Sequence, residues 1–338
     1  MHFCALAALG AVALCPPPSG PNQGEQAPAL EFEHEDYLGY YGGTESAVYR
    51  AIVRDGDGIA LEIPGTGVFA LEHVDGDRWA LAGDASIVLA FERSEGGDVV
   101  RVIAGERRDE KFEPSRELPA VEALAARVAK THRLDLLETL GPLRIRGAYT
   151  VEPLGVEATL THHYAWPDRF RMDSVAGDVF ERLAFDGKRV WYQSDGESTK
   201  ALEGQAAEIQ RLDNLFAYLG DWKHWYPDLQ VVQALEHKRG KLYLVRGGGL
   251  SIPAMTLYIH AENAAVLYVD SLIHVEQIGR MGQRRTYEDY RDVSGMLLPH
   301  RTRVVLADPE MDLTVEAIVT EIKLGVKPTE GLFQLEER

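Results

Sequence analysis

Cysteine is nearly missing from this sequence. The chain of 338 residues has two, Cys4 and Cys15, both at its start. Cleavage after Ala13 would leave Cys15 alone, and the mature fold would then have no internal disulfide and no cysteine metal cluster. Positive charge is also scarce: 35 Lys and Arg stand against 53 Asp and Glu, a formal net charge of −18. That balance argues against nucleic acid as a partner and makes an anionic membrane surface repulsive. No apolar run reaches transmembrane length, since the run at 3–14 is too short to span a bilayer as a helix. Nucleophile and nucleotide motifs are absent too: there is no Ser-x-x-Lys, no Gly-x-Ser-x-Gly, no phosphate loop and no dinucleotide fingerprint. Gly65-Thr66-Gly67 and the glycines at 247–249 read as turns. No cofactor is expected.

The run at 3–14 reads as a targeting segment, with Ala11-Val12-Ala13 as its small-residue cleavage site and a Pro-rich spacer to residue 35. Cys15 is the alternative, as a lipidated anchor giving at most a tethered or transient membrane contact. Either way the expected location is periplasmic or otherwise exported.

What the chain does have is alternation. From 143 to 192, Leu143, Ile145, Tyr149 and Val151 alternate with Arg144, Arg146 and Thr150. Leu160, His162, Tyr164 and Trp166 oppose Thr159, Thr161 and His163. This period of two, broken at Pro153, Gly155, Pro167-Asp168, Gly177-Asp178 and Asp186-Gly187, predicts an antiparallel meander with one apolar face. Earlier, short strands at about ten-residue spacing over 36–112 predict a small antiparallel barrel or sandwich. A polar link at 113–118 precedes a helix opened by Pro119 and ended at Gly141-Pro142. A second helix is expected at 202–220, striped by Ile209, Leu212, Phe216 and Leu219, and it runs into an aromatic cluster of Trp222, Trp225 and Tyr226. Strands then resume to the end. The order is α+β, mostly antiparallel.

Two resemblances follow. Tyr37, Gly39, Tyr41, the Asp55-Gly56 turn and Phe91-x-Arg93 resemble the small lipocalin-like β domain found behind serine β-lactamase-like hydrolases. The resemblance implies an accessory domain. Residues 119–338 resemble the outer-membrane lipoprotein-sorting family, LolA- and LolB-like. The matching residues are Gly147; Tyr164, Pro167, Asp168, Arg169 and Arg171; Phe185-Asp186-Gly187 and Trp191; Tyr287, Tyr290, Arg291, Gly295, Pro299 and His300; and Gly331-Leu332-Phe333. This implies an incomplete antiparallel barrel whose mouth is plugged by helices, carrying lipid.

The candidate ligand-binding residues are apolar. Tyr149, Leu160, Tyr164, Trp166, Met172, Trp191, Phe216, Trp222, Trp225 and Tyr258, with Phe170, Tyr226, Met255 and Leu257, are expected to line one concave wall wider than a single helix can cover. An apolar small molecule or acyl chain would fill the gap. The alternative is an envelope protein's interaction module with a filled core. A third reading, a metal enzyme, needs His274 and Glu276 to meet His260 or His300; catalytic and metal residues are otherwise not expected. His162 and His163 are neighbours on one strand and face opposite ways, and His162 reads as a core histidine. Glu33, His34, Glu35 and Asp36 read as a solvated run.

Overall fold

The computed structural model describes residues 34–196, 198–220, 222–226, 228–275, 279–307 and 312–334. The run at 3–14 expected to be a targeting segment, Cys15, Glu33 and Glu276 lie outside them. Eight strands, β1 to β8, come first: Gly39–Tyr41, Arg50–Asp55, Gly58–Ile63, Gly67–Asp75, Arg78–Leu81, Asp84–Arg93, Val99–Ala104 and Arg107–Phe112. They close into a barrel through β1 and β8. Its interior is solid with Tyr41, Ile52, Ile59, Trp79, Leu89 and Phe91. Tyr37 caps the same core. Its hydroxyl donates to Asp77 at 2.6 Å, its ring meets Phe91 at 4.9 Å, and the Arg93 guanidinium lies 5.2 Å from the ring centre. Arg93 also pairs with Asp36 and Asp77. The Tyr-x-Gly-x-Tyr and Phe-x-Arg residues are thus one knot at the barrel's end.

Helices α1 (Val121–His132) and α2 (Leu137–Leu140) lead into β9 to β14: Leu143–Glu152, Val156–Ala165, Arg169–Ala176, Val179–Phe185, Val190–Ser194 and Lys200–Ala201. Three short helices follow, α3 (Gly204–Leu212), α4 (Leu215–Leu219) and α5 (Trp222–Trp225). Seven strands end the chain, β15 to β21: Leu229–His237, Gly240–Gly247, Met255–His260, Val266–Val275, Gly279–Val293, Met296–Ala307 and Asp312–Lys323. All thirteen join in one sheet, ordered β14-β13-β12-β11-β10-β9-β21-β20-β19-β18-β17-β16-β15. The chain is mostly antiparallel β, a barrel beside a large curled sheet with few helices.

The helix expected at 202–220 is broken. Asp213 and Asn214 interrupt it, and the Asn214 side chain accepts from the Phe216 and Ala217 amides at 2.8 and 3.1 Å, starting α4 afresh. The expected gap is not open either. Helices α1 to α5 bring Leu124, Val128, Phe216, Tyr218, Trp222 and Trp225 onto the concave face, all 2% exposed or less. Voids of about 40 and 10 Å³ remain there among the described residues. Large aromatic side chains from two short lid helices, α4 and α5, account for the difference.

The convex face of β15 to β19 is covered by the barrel. Tyr40, Tyr49, Ala51, Val53 and Ala60 pack on Val232, Leu235, Leu242, Leu244 and Tyr258. Glu62 and Arg246 form a buried ion pair at 2.5 Å, and Asp55 meets Arg280. The Tyr49 hydroxyl lies 2.8 Å from Thr256 Oγ1. Gly282 allows the closest approach: a Cβ there would stand 2.2 Å from the Thr66 carbonyl oxygen. The sheet's terminal strand β15 is shielded as well. The Glu236 amide donates to Glu45 O at 2.8 Å, and Gln233 Nε2 donates to Ala47 O at 2.7 Å. An open edge that would template pairing with other chains is thereby covered.

Candidate functional site

The mouth of the half-barrel is built on α1. Leu124, Val128 and His132 recur every four residues and face inward, buried. Ala125, Ala126 and Ala129 take the outer side. The C-terminal end of α1 is tied down: Arg127 donates to Ala261 O at 2.6 Å and Thr131 to Asn263 O at 2.8 Å. The Val266 amide donates to His132 Nε2 at 3.3 Å, so the ring proton sits on Nδ1 and is shared with Leu297 O at 3.0 Å. Burial holds this imidazole's pKa down at about 4.

Opposite α1 stands the end of the lid. Between them opens a cleft of about 610 Å³ floored by Ala125, Ala129, Leu134, Trp166, Leu219 and Trp222. Glu122, Lys130, Arg133, Asp135 and Lys223 form its charged rim. The β10–β11 turn completes the wall: the Trp166 ring meets Phe216 at 6.0 Å, and Asp168 lies 3.4 Å from His224 Nε2 on α5.

Helix α4 separates this cleft from the inner void of about 40 Å³. Leu219 faces the cleft; Leu215, with Asn214 before it, lines the void. The void's other walls include Leu160, His162, Tyr164, Met172, Arg285 and Thr302. It has the size of a water site or two. One polar knot lies beside it. Arg285 Nη2 meets Asp213 Oδ1 at 3.0 Å, with both side chains almost wholly buried. Tyr218 donates its hydroxyl to the same carboxylate, and its ring lies 5.0 Å from the guanidinium. Gln283 Nε2 donates to Ser271 Oγ at 2.7 Å. Burial opposes the charge on Arg285, but Asp213 and the neighbouring Tyr287 and Tyr218 more than restore it, so its pKa is raised. Burial raises the tyrosines Tyr218, Tyr226 and Tyr287 as well, so they stay neutral at ordinary pH. This arrangement holds a charge and a lid in place.

Eight of the ten expected binding residues converge. Tyr149, Leu160, Tyr164, Met172, Phe216, Trp222 and Trp225 share one core, and Trp166 packs against it half-exposed. Two do not. Tyr258 points to the convex face under the barrel, where its hydroxyl donates to Asp270 at 2.6 Å. Trp191 also faces outward, against Ala184, with Nε1 directed at Asp186. Strand parity excludes both, because their neighbours Leu257 and Val190 hold the inward positions. His162 is buried at the void and His163 is half-buried on the other face. For the metal reading, His260 and His300 hydrogen bond to the Arg239 and Leu298 carbonyls, and Glu276 is not among the described residues. No group of three His, Cys, Asp or Glu placed to hold a metal occurs among the described residues.

Arg285, Asp213, Tyr218 and the outer side of α1 were missed. Arg285 had a signal: it shares the inward parity of Met281, Gln283 and Tyr287 on β19. Asp213 beside the stripe residue Leu212 was the matching one.

No protein-family model and no curated protein matches the chain. Among solved structures, it is similar to a LolA superfamily protein from Nitrosomonas europaea, at 12% identity over 64% of this chain and 99% of that one, TM-score 0.47. A DUF1329 family protein from Desulfovibrio piger is similar at 10% identity over 64% and 98%, TM-score 0.45. A putative outer membrane lipoprotein-sorting protein domain from Vibrio parahaemolyticus is similar at 7% identity over 63% and 95%, TM-score 0.45.

Proposed function

We propose that this chain is an exported, non-enzymatic binding protein for an acyl chain or similarly apolar ligand, admitted at the mouth cleft and held under the lid of α3 to α5. The supporting observation is the cleft itself, about 610 Å³ with an apolar floor, beside a concave face that the described residues leave only small voids in. Its volume falls in the range of about 300–1,000 Å³ typical of small-molecule sites. The lid suits opening. Helices α4 and α5 have five and four residues, too short to be stable alone, so their position depends on contacts that a ligand can replace. The filled interior is then the closed, ligand-free state. Each Å² of apolar wall a ligand covers contributes roughly 25 cal/mol. Native mass spectrometry of gently purified protein is expected to show lipid adducts, and alkyl compounds are expected to displace a bound environment-sensitive dye. A clean mass together with no displacement defeats this reading.

The filled core also supports a second reading, an envelope interaction module without a small ligand. The convex face beyond the barrel exposes Ile318 and Val305 on neighbouring strands. That reading expects no alkyl binding and one stoichiometric protein partner, lost on Ile318→Asp.

A further inference from the structure

We infer that the ligand carries an anionic head, and that Arg285 is its anchor, with Asp213 of the lid occupying the anion's place until a ligand arrives. The inference rests on the ligand-binding reading above and names the chemistry of the head. It starts from where the charge lies. Arg285 projects from β19 into the concave face, level with Met281 and Tyr287, and is 5% exposed. An arginine there is costly unless paired, because an isolated buried charge loses its hydration. In this structure its carboxylate comes from Asp213, which lies in the break between α3 and α4.

Opening the lid for an alkyl chain withdraws that carboxylate. A ligand with a hydroxyl or ester head does not replace the charge that Asp213 takes away. A carboxylate or phosphate restores one. The immediate surroundings suit such a head. Thr302, fully buried, lines the adjoining void, and its Oγ1 has no hydrogen-bond partner. Tyr287 OH lies 3.4 Å from Arg285 Nη1 and borders the same void. A buried cation, a phenol and an unpartnered hydroxyl around one small void form a receptor for oxygen acceptors. The path also fits. Helix α4 is the partition between the void and the mouth cleft, so a head at Arg285 places its chain where Leu215 and Phe216 now lie, leading toward the apolar floor of the cleft.

The test is calorimetric titration of the full chain with three ligands of equal chain length: laurate, dodecyl phosphate and dodecanol. The expected result is that both anions, or one of them, bind the unaltered protein about tenfold or more tightly than the alcohol. Preference for laurate over the phosphate, or the reverse, separates a fatty acid from a phospholipid-type head. Arg285→Gln is expected to abolish the preference of the anions over dodecanol. Asp213→Asn, which removes the competing carboxylate, is expected to widen the preference for the anions over the alcohol. Dodecanol binding as tightly as the anions to the unaltered protein overturns the inference while leaving the apolar-ligand reading intact. Binding by none of the three overturns both. The comparison in the unaltered protein needs no variant to fold.

Discussion

His132 shows how one side chain makes the closed mouth depend on pH. Its Nε2 must be unprotonated to accept from Val266, and burial keeps it so. The folded pKa, about 4, lies below the value of about 6.5 expected in the unfolded chain. As pH falls, the unfolded chain therefore takes the proton first. The stability tied to neutral His132 is complete above about pH 6.5 and is lost as pH drops toward 4. The size is roughly 3 kcal/mol. Urea unfolding across that window is expected to show this loss, and His132→Gln, which keeps an acceptor for Val266, is expected to flatten it. An equal pH dependence in both proteins argues against His132 as the source.

Gly147 belongs to the strand that joins the two halves of the curled sheet, β9, which pairs with β10 on one side and β21 on the other. Between Val319 and Glu321 the β21 register shifts, and the strand there presses on β9. A Cβ on residue 147 would stand 2.4 Å from Ile318 O. The obstacle is backbone, so it cannot swing away. Gly147→Ala is expected to cost roughly 1–3 kcal/mol, typical of overpacking. It should appear as a lower urea midpoint at unchanged slope; an unmoved midpoint means the bulge absorbs the methyl. The meander around Gly147 was legible because side chains alternate along a strand. The break in the lid helix was less so. Leu212, Phe216 and Leu219 kept helical spacing through it, and the interruption at Asp213-Asn214 follows from a charge that finds its partner 72 positions away. Tyr258 and Trp191 turn away from the concave face because strand parity, not aromatic character, sets the side.

The barrel packs directly on the half-barrel. Their contact buries tyrosines and aliphatic side chains from both, with Glu62 and Arg246 at its centre. Glu62→Ala leaves Arg246 buried without its counter-charge, and the expected loss is about 3–5 kcal/mol. Adding Arg246→Met is expected to recover much of it, since an apolar pair suits that site. Trp79 in the barrel and Trp222 and Trp225 on the lid lie in separate cores. Coincident unfolding by tryptophan fluorescence and far-ultraviolet circular dichroism is expected if the contact couples them. Two separated transitions would show that the barrel is only tethered.

By itself, the sequence determined the elements. Alternation, turn residues and helical stripes are properties of neighbouring positions, and they specify an antiparallel β chain with a few helices and a first unit of short strands. Three things were decided only in three dimensions: that the concave wall is filled, that a barrel covers the convex face, and that Arg285 meets Asp213. Each depends on side chains far apart in the chain competing for the same volume or the same charge, and local periodicity carries no record of that competition.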